Sequence, residues 1–129
     1  MDDKKKKFTL EYPIKCTVAS LYTKLSTDEG LESWFADQVT QENNQFTFYW
    51  HKIPQAAELI AQRENQYVRF RWVEEEDPEA YFEMRITPHE LTRDIALSIT
   101  DFSDPDEYED SVQMWENNVK NLRLALGCR

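Results

Sequence analysis

Two histidines, two cysteines and a few well-placed carboxylates are the residues of this chain most able to do chemistry. His51 and His89 are the candidate bases and metal ligands. A zinc site needs three or four ligands converging on one point. These histidines stand in unrelated contexts: His51 continues a strand-like alternation onto an outer face, and His89 falls in the turn-rich "TPHE". No metal site is expected. Cys16 precedes a predicted helix start, where a thiol pKa can fall. No histidine adjoins it in sequence to act as its base, although a distant one could approach in space, so it reads as a structural thiol. Cys16 and Cys128 make no CxxC pair, and reduced thiols in a cytoplasmic protein are the default expectation. Glu83 in "YFEMRI" alternates outward with Arg85 and faces Arg69 or Arg71, so cross-strand ion pairing accounts for it without catalysis. The two glycines, Gly30 and Gly127, are too few for a Gly-rich phosphate loop or a dinucleotide fingerprint, both of which bring backbone amides close to phosphate. No catalytic motif and no cofactor follow from these residues.

Charge narrows the partners. The net charge of −10 disfavours nucleic acid, whose phosphates call for a basic face, and an anionic membrane surface. "KKKK" at Lys4 to Lys7 is basic, and residues 1–7 are read as a flexible basic N-terminus. "EEEDPE" (Glu74 to Glu79) and "DFSDPDEYED" (Asp101 to Asp110) are acidic, and all three runs read as solvated surface. The opening residues show no apolar h-region of a signal peptide, and no apolar run approaches the ~20 residues of a membrane span.

The elements that must position any site come from hydrophobic period. A chain of 129 residues, 40% of them hydrophobic, fits one domain over 1–129 with a real core. Phe8, Leu10, Tyr12 and Ile14 alternate as a strand, with Pro13 marking an end or an edge. Val18, Leu21, Tyr22 and Leu25 then share one helix face, with Thr17 placed to cap it. A second short helix in "STDEGLESWF" has Thr27 as its cap and Leu31, Trp34 and Phe35 on one face. Strand period returns at Phe46, Phe48 and Trp50, less clearly in "AELIAQ", then in "YVRFRWV", "AYFEMRI" and "DIALSIT". Turn signals lie at 42–45, 64–66, 75–78 and 87–90. Short connections imply antiparallel neighbours, and one polar face per strand implies a sheet open to water on one side. The chain closes with a helix over 105–126. Asp104 is its expected N-cap, Pro105 its first residue, Glu107 the partner in a capping box, and Gly127 the C′ residue. Val112, Trp115, Val119, Leu122 and Leu126 form its apolar stripe.

Three stretches carry a family resemblance: "CTVASLYTKLSTDEGLESWFADQV", the "FRW" at 70–72, and "MWENNVKNLRLALG" at 114–127. Together with the element order, they resemble the START-like, helix-grip superfamily over nearly the whole chain. The chain resembles in particular a small bacterial subgroup of that superfamily, near the bacterial relatives of the activator of the heat-shock chaperone ATPase. The resemblance implies an α+β fold: a curved antiparallel sheet of about six to seven strands, two short helices after the first strand, and a long C-terminal helix packed across the sheet. It transfers no catalytic residue, because the superfamily shares none. It also implies that the two short helices support the C-terminal end of the long helix, with Trp34 or Phe35 facing Leu122, Leu126 or the sheet.

A curved sheet gripping a helix tends to leave an apolar space, the usual place for a ligand. The expected lining is Phe48, Trp50, Val68, Phe70, Trp72, Phe82, Met84, Ile95 and Leu97 from the strands, and Met114, Trp115 and Val119 from the helix. Trp34 reads first as core, with the rim of that space or a docking surface as the alternative. Such large side chains could equally fill the space as core. Of Trp34 and Phe35, the sequence predicts Phe35 nearly fully buried and Trp34 mostly buried, with its indole N–H bonded or near solvent. Three roles are in competition: binding of a small apolar molecule; a protein-interaction or co-chaperone-like role through an outer face carrying Tyr49, Tyr67, Tyr81, Arg69 and Arg71; and, least favoured, a cyclase- or hydrolase-like enzyme, which needs polar groups converging inside the pocket.

Overall fold

A computed structural model of the chain describes residues 5–88 and 94–127, so that His89, Cys128 and Lys4 lie outside the described residues. β1 (Lys6–Ile14) leads into α1 (Val18–Ser26) and α2 (Asp28–Glu32). Then come β2 (Gln38–Glu42), β3 (Gln45–Trp50), β4 (Ile53–Arg63), β5 (Tyr67–Trp72), β6 (Phe82–Pro88) and β7 (Ile95–Ser103). A short 3-10 turn, Pro105–Glu107, opens onto α3 (Tyr108–Leu126). Among the described residues the strands form one curved seven-stranded sheet in the order β1-β7-β6-β5-β4-β3-β2. Every neighbouring pair is antiparallel. The fold is the expected α+β helix-grip.

The period-2 residues lie where alternation puts them. Phe46, Phe48, Val68, Phe70, Met84, Leu97 and Ile99 are fully buried on the face that α1, α2 and α3 cover. Trp115, Val119 and Leu122 meet them from α3, while Val112 and Leu126 are only half-buried. Thr17 and Thr27 cap α1 and α2 through their hydroxyl oxygens, which accept from the amides of Ser20 at 3.1 Å and Gly30 at 2.9 Å. Gly127 ends α3 with φ 71, the left-handed conformation that favours glycine.

Several local expectations need correction. β2 was not foreseen: it is an edge strand with Val39 as its one buried residue, too little apolar period to read. His51 does not continue β3. With Lys52 it forms the two-residue turn to β4, at φ 51 and 67, the hairpin geometry that suits the twist of the strands. Ile60, in "AELIAQ", falls at a β-bulge between Leu59 and Ala61 and points outward. Asp104 makes no side-chain cap bond, so the capping box does not form, and the helix proper begins three residues late, after a 3-10 turn. Lys6 and Lys7 are not a loose tail but pair with Ser103 and Phe102 in the β1–β7 ladder. Lys5 is tied as well: its amide donates to Asp77 and its ammonium to Glu75 at 2.8 Å. Part of the basic run and part of the acidic run, both read as solvated, thus meet each other.

Trp34 and Phe35 lie past the end of α2, in a turn whose amides reach back to the Leu31 carbonyl. Leaving the helical period lets both adjacent rings turn inward. Both are 4% exposed, so the expected difference in burial is absent. The Trp34 indole N–H is bonded, donating to the Lys24 carbonyl at 2.8 Å.

Gly30 sits where α2 crosses the end of α1. A Cβ there would run into the Thr23 carbonyl oxygen and lie 2.7 Å from Lys24 Cα. These are backbone atoms that cannot swing aside. Gly30→Ala is therefore expected to cost about 1–3 kcal/mol through overpacking, measured by urea melts. A neutral result would show that the two helices separate freely.

Candidate functional site

Five aromatic side chains close together at one end of the grip. Trp50 ends β3, Trp72 ends β5 and Phe82 begins β6, and antiparallel pairing brings these three strand ends to the same end of the sheet. Phe35 comes from the α2–β2 turn and Trp115 from α3. Their rings form a connected wall: Phe35 lies 5.5 Å from Trp50, 5.7 Å from Phe82 and 5.7 Å from Trp115, and Trp72 lies 5.0 Å from Phe82 and 6.2 Å from Trp50. The wall bounds a cavity of about 770 Å³ between the first half of α3 and the sheet. Met114, which is exposed, stands at its mouth with Asp110, Gln113, Asn117 and Asn118 of α3. Gln55 closes the β4 side, and Asp101 of β7 reaches the interior.

Asp101 is the residue that the sequence reading missed. It was assigned to a solvated acidic run, yet it continues the inward alternation of Ile95, Leu97 and Ile99. Its Oδ2 accepts from Trp115 Nε1 at 2.8 Å and its Oδ1 from the Phe102 amide at 2.7 Å. Burial raises the Asp101 carboxyl above its ordinary pKa, and the two hydrogen bonds oppose the rise. The signal was available in the period of β7, had the alternation been carried two residues further.

The other residues named as cavity candidates divide by position along their strands. Trp50, Trp72, Phe82, Met114 and Trp115 line the cavity. Phe48, Phe70, Met84 and Leu97 share its face but lie outside its lining; each is 0% exposed in the part of the concavity that α1 and α2 fill. Trp34 lines a second cleft of about 640 Å³, on the far side of Phe35 and Trp50, toward Leu124 and Ala125 of α3. The two clefts share Phe35, Trp50 and Asn118. Phe35 faces Phe48, Phe82 and Trp115.

The outer face of the sheet carries an ionic network. Glu83, 6% exposed, accepts from Arg69 at 2.8 Å and from Arg85 at 3.1 Å. Arg69 stacks over Tyr81 and Arg85 over Tyr67, each 4.2 Å from the ring centroid. Arg71 donates to the carbonyls of Ala80 and Glu75. Tyr49 is half-buried on β3. The arginines proposed for partner recognition are thus already engaged within the chain.

Burial disfavours the Glu83 carboxylate, but the hydrogen bonds and charges of Arg85 and Arg69 outweigh it and hold its pKa below the ordinary 4.5. The stability that this pairing supplies is fully present above that ordinary value and is lost as pH falls through the lower folded value. Glu83→Gln should cost about 1–3 kcal/mol at neutral pH, and the cost should shrink on acidification. A penalty that does not shrink at all as the pH is lowered below that ordinary value in urea melts would assign it to packing rather than charge.

Among the described residues no group of three or more His, Cys, Asp and Glu is arranged to hold a metal ion, and no helix is long and apolar enough to cross a membrane.

A family model described as the START-like superfamily domain matches residues 1–128. No curated protein matches the chain. Among solved structures, the solution structure of BfR322 from Bacteroides fragilis is 38% identical, with a TM-score of 0.67, covering 93% of this chain and 90% of that one. The Aha1 dimer from Colwellia psychrerythraea has a TM-score of 0.78 at 15% identity, covering 94% and 96% of the two chains. DynU16, described as a putative protein in the dynemicin biosynthetic locus, also reaches 0.78, at 13% identity over 94% of this chain and 47% of its own. At these last two identities the likeness is one of fold.

Proposed function

The chain belongs to the START-like superfamily, and on that premise we propose that it binds a small, largely apolar molecule in the cleft beneath α3. The observation that carries this reading is the aromatic-walled cavity of about 770 Å³, a volume within the ~300–1,000 Å³ usual for small-molecule sites. The aromatic wall supplies contact area, and the few polar groups that reach it can fix orientation. A protein-docking role for the outer face has less support, because Arg69, Arg71 and Arg85 are bonded within the sheet.

Nile red, an uncharged apolar dye, tests the cleft directly. Its emission should rise on titration and saturate at a single site. Met114→Arg, at an exposed position on the mouth, should abolish that rise without lowering stability. Equal dye binding by Met114→Arg would place the dye elsewhere and sink the proposal. Native mass spectrometry of freshly purified protein adds an unbiased readout: a retained small mass supports a carrier, and a retained second polypeptide supports a docking module instead.

A further inference from the structure

The chemistry of the cleft wall narrows the ligand. Trp50 and Trp72 are the half-buried rings of that wall, and an aromatic ring attracts cations through its negative quadrupole. The charged lining residues of the cleft are Asp101 and Asp110, and no Lys or Arg is among the described residues that line it. Lys5 acts on Asp101 as a positive charge, but its ammonium is already held by Glu75 at 2.8 Å. Asp101 uses one oxygen for the Trp115 indole and the other for the Phe102 amide. A carboxylate has about four acceptor sites, so it keeps capacity for a further donor from within the cavity. Burial raises the Asp101 carboxyl above its ordinary pKa, and a cation bound beside it would oppose that rise.

We propose that the cleft selects a cationic ligand, a protonated or quaternary amine on an apolar or aromatic body, with the ammonium near Asp101 and the body against Trp50 and Trp72. This inference rests on the binding role proposed for the cleft and adds the charge of what it takes. Asp101 confers the specificity, and the rings add cation–π attraction that persists away from water. An anionic ligand of the same shape would meet two carboxylates and no cation among the described lining residues.

Three probes with one naphthalene body separate the cases: naphthylmethylammonium, naphthylmethanol and naphthoate, titrated by calorimetry at physiological ionic strength. That ionic strength screens the general attraction of an acidic surface. The ammonium should bind roughly tenfold or more tighter than the alcohol, as a charge-assisted hydrogen bond would give, and the carboxylate should bind weakest. Asp101→Asn should remove that preference, bringing the ammonium down to the affinity of the alcohol on the same variant, whereas Asp110→Asn, at the exposed mouth, should lower it only slightly. If Asp101→Asn fails to fold, the order of the three probes on the unaltered protein still decides. If the alcohol or the carboxylate binds as tightly as the ammonium, the cleft stands and the cation preference falls. The assignment to Asp101 falls if folded Asp101→Asn keeps the preference. If none of the three binds while Nile red does, the cation preference falls and the cleft stands; if Nile red fails as well, both proposals fall.

Discussion

Trp115→Ala is expected to destabilise the protein by about 3–5 kcal/mol, the range for removing a large aromatic from a core. Trp115 is 1% exposed and lies against Phe35 at 5.7 Å and Phe82 at 6.2 Å. It is the buried aromatic that α3 places between the helix and the sheet, so its loss leaves a void that a rigid helix and a hydrogen-bonded sheet cannot close. Its indole also donates to Asp101 at 2.8 Å, and truncation leaves that buried carboxylate with one bond fewer, which adds to the cost. Trp115→Phe separates the two contributions, since it keeps most of the ring volume and loses the donor; about 1–3 kcal/mol is expected for it. Met114, the adjacent residue on the exposed side, is the control: Met114→Ala should stay within about 0.5 kcal/mol of the parent. A urea melt in which Trp115→Ala loses less than ~1 kcal/mol would show that this stripe of α3 is not its core face.

Much of this arrangement was legible because it depends on period alone. Alternation in "YVRFRWV" assigned Val68 and Phe70 to the inner face and Arg69 to the outer one, and the pleat leaves no other option. The stripe at Trp115, Val119 and Leu122 and the cap at Gly127 placed α3 for the same kind of reason. Period names a face, however, and not a position along a strand. Phe48 and Trp50 share a face of β3, yet Phe48 is sealed in core and Trp50 lines the cleft. Which of them borders open space depends on how far α1 and α2 reach across the sheet, a tertiary fact with no local signature. Asp101 was hidden differently: a carboxylate in an acidic run reads as solvated unless strand period is allowed to override composition. His51 was misread because a two-residue turn with positive φ at both positions usually advertises itself through Asn or Gly, and "HK" has neither. The capping box at Asp104 failed although its letters were correct, because Pro105–Glu107 turns as a 3-10 segment and takes the amides out of reach.

Phe35→Ala is the second large effect, also about 3–5 kcal/mol, and it bears on binding as well as stability. Phe35 touches the rings of Trp34, Phe48, Trp50, Phe82 and Trp115, so it joins the α2–β2 turn, the sheet and α3 in one contact. Its carbonyl accepts from Trp50 Nε1 at 3.0 Å, which anchors the cleft-lining Trp50 to the same turn. Phe35 also stands in the walls of both clefts, and its removal should merge them and loosen the hold on Nile red. Trp34 provides the contrast. It is equally buried, but it lines only the second cleft and spends its N–H on the Lys24 carbonyl. Trp34→Phe should cost about 1–2 kcal/mol for the lost bond and the smaller ring, with dye affinity unchanged. Two adjacent aromatics of equal burial would then differ in function because one borders the ligand space and the other does not. Dye affinity that falls with Trp34→Phe and survives Phe35→Ala would reverse this assignment and move the binding site to the second cleft.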